Sequence, residues 1–176
     1  MIIMGVDPGY ATVGFGFVQY MPPRYKAGKY GAIITPSDDP FEKRLGTIHT
    51  SMCNLIDRFQ PDALAIEKLF YNSNATTAIG VAEARGVILL AAYEKNVPIY
   101  EYTPLQVKLA VTGFGRAIKP QMQEMTRRLL ALKEVPKPDD TADALAIAIC
   151  HAQNSGRVKL DRATAVTSVS ARVIKK

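Results

Sequence analysis

Tryptophan is absent from this 176-residue chain, and cysteine and histidine occur only twice each. Cys53 and Cys150 stand far apart, with no C-x-x-C spacing and no neighbouring histidine pair, so neither a disulfide framework nor a zinc-binding motif organises the fold. Both read as reduced thiols of helix cores. His49 and His151 read as a helix-face residue and a helix-end residue rather than as ligands or an obligatory base. No run of eighteen apolar residues occurs, and no basic stretch followed by a long hydrophobic one opens the chain. A membrane span is therefore not expected, and a cytoplasmic protein is.

What is present is an ordinary globular composition, 48% hydrophobic and 22% charged, in a length that suits one domain. The net charge of +6 is unevenly spread. From Gly156 onward six basic residues (Arg157, Lys159, Arg162, Arg172, Lys175, Lys176) face one acid, Asp161, so this stretch carries +5 and leaves the body at +1. Residues 1–155 are expected to form the folded domain and residues 156–176 a basic, flexible tail. Any polyanion-binding face on the body must come from local clustering.

Met1 to Val6 is an apolar strand ended by Asp7-Pro8-Gly9. Ala11 to Tyr20 and Tyr25 to Thr35 read as two further strands, the second of the chain antiparallel to the first. Leu45, Ile48, Met52, Leu55, Ile56 and Phe59 recur at helical spacing, which predicts a helix over 41–59. Ala63 to Glu67 is a short apolar strand ending on an acid. Helices are expected over 74–94, 104–111, 120–132 and 140–154, with a strand at 97–100 and a loop over 113–119. Thr103 before Pro104, and Asp139 before the last helix, read as caps. This order predicts an α/β layer fold with a mixed sheet.

Four acids stand out. Asp7 and Glu67 each end a hydrophobic strand, and they share a sheet edge if the strands are parallel neighbours. Asp140 and Asp143 lie three apart, on one face of a helix whose remainder is almost wholly apolar and must be buried. Asp7 taken alone also suits a turn before Pro-Gly, and Asp139 and Asp140 suit helix capping. Glu67 has no such local reason, since glutamate is disfavoured in strands. Converging carboxylates repel, and a hard divalent cation such as Mg2+ or Mn2+ resolves that repulsion through oxygen ligands. Two such ions would serve in-line phosphoryl displacement. Between Pro104 and Lys133 six basic residues (Lys108, Arg116, Lys119, Arg127, Arg128, Lys133) face Glu124 alone. That clustering suits phosphate contacts, with a solvated helix face as the alternative for Arg127 and Arg128.

Gly5-Val-Asp-Pro-Gly9, Ala65-Ile-Glu-Lys-Leu-Phe70, Ala84-Arg-Gly86, Tyr102-Thr-Pro-Leu-Gln-Val-Lys108 and Asp140-Thr-Ala-Asp-Ala-Leu-Ala-Ile-Ala-Ile-Cys-His151, taken in order, resemble the RuvC family of Holliday-junction resolvases. The resemblance implies an RNase H-like three-layer fold with a five-stranded mixed sheet. It implies a homodimeric endonuclease that nicks opposed strands of a four-way DNA junction symmetrically, leaves 5′-phosphate and 3′-hydroxyl ends, and works with the branch-migration proteins RuvA and RuvB. It places Mg2+, or Mn2+ in its stead, on Asp7, Glu67, Asp140 and Asp143. Phe70 falls where a base-stacking phenylalanine is expected, and Lys108 and Lys119 fall where lysines approach the scissile phosphate. Arg116 is expected to add a DNA contact. Pro120 directly after Lys119 departs from the family's pattern. The helix over 74–94, rich in small residues, is the expected dimer interface. Two other readings remain at this point. Asp7-Pro-Gly-Tyr-Ala-Thr12 resembles the first phosphate loop of actin-like phosphotransferases, although the length argues against a second domain. A junction-binding protein without catalysis is the third.

Overall fold

A computed structural model of the chain describes residues 1–69 and 75–165. Its elements run β1 (Ile2–Asp7), β2 (Thr12–Met21), β3 (Arg24–Ile34), α1 (Phe41–Phe59), β4 (Ala63–Glu67), α2 (Ala75–Glu94), β5 (Ile99–Tyr102), α3 (Pro104–Thr112), α4 (Lys119–Leu129) and α5 (Asp139–Ala165). The sheet has the order β3-β2-β1-β4-β5. β1 to β3 form an antiparallel meander, and β4 and β5 add parallel to β1.

β1 lies at the centre, and its two faces feed two cores. Met4 and Val6 pack with Phe17, Ile66, Met52 and Ile88 under α1 and α2. Ile3 faces the other way, toward Leu145, Ile149, Val107 and Met122 of α5, α3 and α4. Full burial of each such side chain contributes about 1.5–3 kcal/mol, which is why the apolar run of β1 reads so plainly. α5 is sandwiched between the sheet and the α3/α4 layer. Ala144 to Cys150 is consequently buried all the way round the helix.

Glycine makes that sandwich close. Gly5, Gly14 and Gly16 all point at α5. A Cβ at Gly5 would overlap the Ala144 carbonyl oxygen, one at Gly14 the Asp140 carbonyl oxygen, and one at Gly16 would sit 2.6 Å from Leu145 Cδ2.

Several boundaries differ from the sequence expectation, each for a visible reason. β5 begins at Ile99 because the Val97 N–H is taken by the Ala92 carbonyl (2.9 Å), closing α2. α4 starts at Lys119 itself and ends at Leu129. α5 continues to Ala165 rather than stopping near Asn154, so residues 156–165 are helical in backbone. Asn154 and Ser155 return hydrogen bonds to the Cys150 and Ala152 carbonyls (2.8 Å each), so the Asn-Ser-Gly sequence does not break the helix. His151 is therefore not a helix-end residue. It is buried, with its Nδ1 2.7 Å from the Tyr102 hydroxyl. Both cysteines are free, as expected, but only Cys150 is fully buried. Burial pushes the Cys150 thiol up to about 12, which leaves it inert. Thr103 caps α3 as predicted, accepting from the Gln106 N–H (3.2 Å) while Gln106 Oε1 accepts from the Thr103 N–H (2.8 Å).

Candidate active site

The parallel register sets Val6 beside Ile66, so Asp7 and Glu67, one residue on, finish at the same sheet edge. The chain after Glu67 stays tied to β5 by Lys68 N–H donating to the Tyr102 carbonyl (2.8 Å). From α2, Arg85 donates Nε–H to the Glu67 carbonyl (3.2 Å) and pairs through Nη2 with Glu101 of β5. The backbone that carries Glu67 is thereby held from two sides. Arg44 does similar work near Asp7. Its buried guanidinium donates to the Tyr10 carbonyl (3.2 Å) and to Thr35 Oγ1 (3.0 Å), fixing the turn that follows Asp7.

The other two acids arrive on the first turn of α5. Asp7 pairs with Gly14 in the β1–β2 ladder, and Gly14 is where the sheet meets the Asp140 backbone. A side chain at Gly14 would wedge α5 off the sheet and carry Asp140 and Asp143 with it.

Electrostatics report how crowded the result is. The Asp7 carboxyl is pushed up to about 8, first by burial and then by the charges of Asp143, Glu67 and Asp140, with Lys119 offsetting only part. Burial and Asp143 also raise Glu67, against the pull of Lys108. Asp143 is raised by burial and by Asp140 and Asp139, although Lys119 Nζ sits 3.1 Å from its Oδ2. Burial works against the Lys119 ammonium, yet its bonds to Asp143 and Asp139 outweigh that and leave its pKa raised. The two ends of the Lys119–Asp143 pair thus differ: the lysine is satisfied, and the carboxylate is not. The carboxylate side governs the site, because it sums the repulsion of the whole cluster. One ammonium does not neutralise four acids.

Lys119 occupies the first position of α4 rather than a preceding loop, where the helix dipole opposes a cation. Asp143 and Asp139 (3.5 Å) compensate, and Lys137 holds the other Asp139 oxygen at 3.0 Å. Asp139 is thus the first residue of α5 and an ion-pair partner, not a plain cap. Pro120 fits the first turn of α4 without disturbing Lys119, and the Ile118 N–H is satisfied by Gln121 Oε1 (3.1 Å).

Glu67, Asp143, Lys119 and Lys108 line one cleft of about 210 Å³ floored by Val107, Met122 and Ile147. Asp7 and Glu67 line a second on the other side of Glu67, with Pro8 and Lys68. Arg116 is exposed on the α3–α4 connection and is not among the residues lining either cleft. Phe70 lies outside the described residues. Arg127 and Arg128 are both taken by Glu124 (2.8 and 2.6 Å), whose carboxyl they hold down at about 2. These pairs favour the solvated-helix-face alternative over a phosphate contact.

Sequence reasoning missed Gly14, Arg85 and Arg44. The Gly-x-Gly in β2 and the Ala-Arg-Gly of α2 were the only traces. The all-oxygen donor set of Asp7, Glu67, Asp140 and Asp143, with no imidazole or thiol lining either cleft, fits a hard divalent cation.

Comparison with known proteins gives a consistent answer. A family model described as "Crossover junction endodeoxyribonuclease RuvC" matches residues 3–151. The crossover junction endodeoxyribonuclease RuvC of Desulforamulus reducens is 51% identical over 163 residues, covering 90% of this chain and all of that protein. The RuvC of Halothermothrix orenii is 56% identical over 151 residues, covering 86% of this chain and 92% of its own length. Among solved structures, Thermus thermophilus RuvC in complex with a Holliday junction substrate superposes with a TM-score of 0.86 at 37% identity, covering 90% of this chain and 96% of that one. The RNase H-like arrangement expected from the resemblance is present, and the chain belongs to the RuvC family.

Proposed function

We propose that the chain is a metal-dependent endonuclease that resolves four-way DNA junctions, acting as a homodimer that nicks opposed strands and leaves 5′-phosphate and 3′-hydroxyl ends. One observation carries the reading: four acids from three elements crowd into a site whose nearest cation cannot neutralise them. A protein that only bound DNA would gain nothing from negative charge beside a phosphate.

Asp7, Glu67, Asp140 and Asp143 would hold the Mg2+ ions, with Mn2+ able to take their place. When bound, such ions supply positive charge at the scissile phosphate and lower the pKa of the attacking water. The chain's own residues do the rest. Asp7 stands centrally, touched electrostatically by the other three acids, and would hold a cation as the ionised carboxylate. Lys119, 3.1 Å from Asp143 in the chain by itself, would offer its ammonium to the phosphate oxygens, where charge grows in the transition state. Lys108, on the far wall of the cleft beside Glu67, meets the next phosphate along the strand. The exposed Arg116 adds a backbone contact. For Phe70, base stacking at the junction centre rests on the family resemblance.

The dimer has support on α2. Ile79, Ala82, Gly86, Leu90 and Tyr93 recur at steps of three and four along an exposed face, with Ile79, Leu90 and Tyr93 67%, 50% and 77% exposed. A second copy of the same helix would cover this stripe, with Gly86 at the crossing. Two matched sites answer the two matched cuts a junction needs. Association with RuvA and RuvB rests on the family resemblance, and a cytoplasmic setting is the expectation from the sequence.

The test is a cleavage assay on a synthetic four-way junction with and without divalent metal. Paired nicks that require the metal and disappear in Asp7→Asn, while junction binding persists, are expected. Cleavage that survives excess chelator, or an unimpaired Asp7→Asn, refutes the assignment.

A further inference from the structure

Far along α1 and at the end of α2 lies a second cluster, chemically unlike the first. His49 and Cys53 are one turn apart on α1, and Glu94 closes α2. His49 Nε2 is 2.9 Å from Glu94 Oε2, and Cys53 Sγ is 3.9 Å from that same ring nitrogen. One ligand atom from each residue falls within 4.8 Å of the others. We infer that His49, Cys53 and Glu94 form a binding site for a borderline-soft divalent cation of the zinc type, clipping α1 to α2.

Geometry supports a single ion. A tetrahedral zinc with ordinary bond lengths separates an imidazole nitrogen from a carboxylate oxygen by about 3.3 Å and from a thiolate by about 3.6 Å. The distances of 2.9 and 3.9 Å bracket those values, and with all three ligand atoms within 4.8 Å of one another, side-chain rotation can draw the thiolate and carboxylate together around the ion. Cys53 Sγ is also 4.0 Å from Nδ1, so the His49 ring turns to aim Nε2 at the ion as it binds. His49 and Glu94 remain partly open to solvent, 33% and 47% exposed, so water can reach the fourth position. On binding, the Cys53 thiol releases its proton to solvent, and sulfur becomes the ligand as thiolate.

Chemistry separates this cluster from the catalytic one. Thiolate and imidazole prefer zinc or cobalt over magnesium, whereas the four carboxylates prefer magnesium or manganese. The two sites can therefore be loaded in one solution by different metals. Asp57, one turn beyond Cys53, is occupied by Lys95 at 2.5 Å, which leaves the three-residue set as the available one. The ion would join two helices that otherwise meet through the apolar contacts of Ile48, Met52, Ile88 and Ala92. It would fix the end of α2, the helix that carries the exposed apolar stripe.

Cobalt reports the ligands directly. The full chain, stripped of metal by chelator and kept reduced, is titrated with Co2+ and followed for the sulfur-to-cobalt charge-transfer band and for the intense visible bands of tetrahedral cobalt. One equivalent should give both, Zn2+ should abolish them by displacement, and excess Mg2+ should leave them unchanged. Cys53→Ser should lose the charge-transfer band, and His49→Asn should weaken Zn2+ affinity at least tenfold while circular dichroism stays native. Zn2+ should raise the wild-type Tm and leave that of Cys53→Ser in place. A wild-type protein with no charge-transfer band at saturating Co2+, or a band that survives in Cys53→Ser, overturns the site.

Discussion

Replacing Asp7 by asparagine should do two opposite things, and their combination tests the physical account of the site. In the metal-free protein the Asp7 carboxyl is raised from 3.8 to about 8, chiefly by burial. Below about pH 4 both folded and unfolded states hold the proton, and burial of the neutral acid costs little. Between about 4 and 8 the unfolded chain ionises while the folded one keeps its proton, so stability falls with rising pH. Above about 8 the folded state carries the buried charge at full cost. A shift of about 4 pH units corresponds to a ceiling of ~6 kcal/mol. Asp7 stands at the sheet edge, part-exposed and coupled to three other acids, so about 2–3 kcal/mol is the amount expected to be realised. Asparagine cannot ionise. Metal-free Asp7→Asn should therefore match wild type in acid and exceed it by about 2–3 kcal/mol near pH 9, a Tm gain of roughly 5–10 °C. Urea melts in chelator at several pH values would measure this. Adding Mg2+ or Mn2+ should reverse the order, stabilising wild type and leaving the variant almost unmoved. Junction cleavage should fall on the order of 10³-fold or more while binding holds. A stability difference that stays constant across pH, or a variant weaker throughout, would show that the raised carboxyl is not what burdens the metal-free fold.

Gly14→Ala should cost about 1–3 kcal/mol by overpacking against the Asp140 backbone. Its apparent affinity for Mn2+ should drop by more than that stability loss explains, as isothermal titration would report. Lys119→Met should lower kcat about 10²–10³-fold with junction affinity changed only a few-fold, in single-turnover assays. Arg85→Ala, which frees the Glu67 backbone, should reduce cleavage about tenfold and raise the metal concentration needed for half-maximal rate, whereas Arg128→Ala should change neither, since Arg128 is paired with Glu124. Leu90→Glu should shift the chain toward monomer in analytical ultracentrifugation, and unaltered association would remove α2 as the interface.

How much of this was legible beforehand depends on whether the cause was local. The spans of α1 and β4 follow from hydrophobic period alone, and the structure returns them at Phe41–Phe59 and Ala63–Glu67. The cap of α3 is equally local. The pairing of Glu124 with Arg127 and Arg128, three and four residues on, is local too, although the sequence reads there as a phosphate-contacting stretch or a solvated helix face and not as an ion-paired one. Asn154-Ser-Gly misled because its polar groups find carbonyls within the helix, a choice that loop-forming tendency does not reveal.

By itself, the sequence determined that two strands end on acids and that one buried helix opens on two more. Strand alternation and helical period fix where side chains stand along their own element. Which elements become neighbours, and how near, was decided only by tertiary packing. The parallel register of β1 and β4 sets Asp7 beside Glu67, and the bare Cα of Gly14 lets α5 approach closely enough to add Asp140 and Asp143. The same packing brings Lys119 to Asp143 from another helix and His49 to Glu94 across 45 residues. Burial then supplies the low dielectric that raises the carboxyls of Asp7, Glu67 and Asp143 and makes the cluster seek a cation. No linear spacing encodes that environment, because it belongs to the space between the elements.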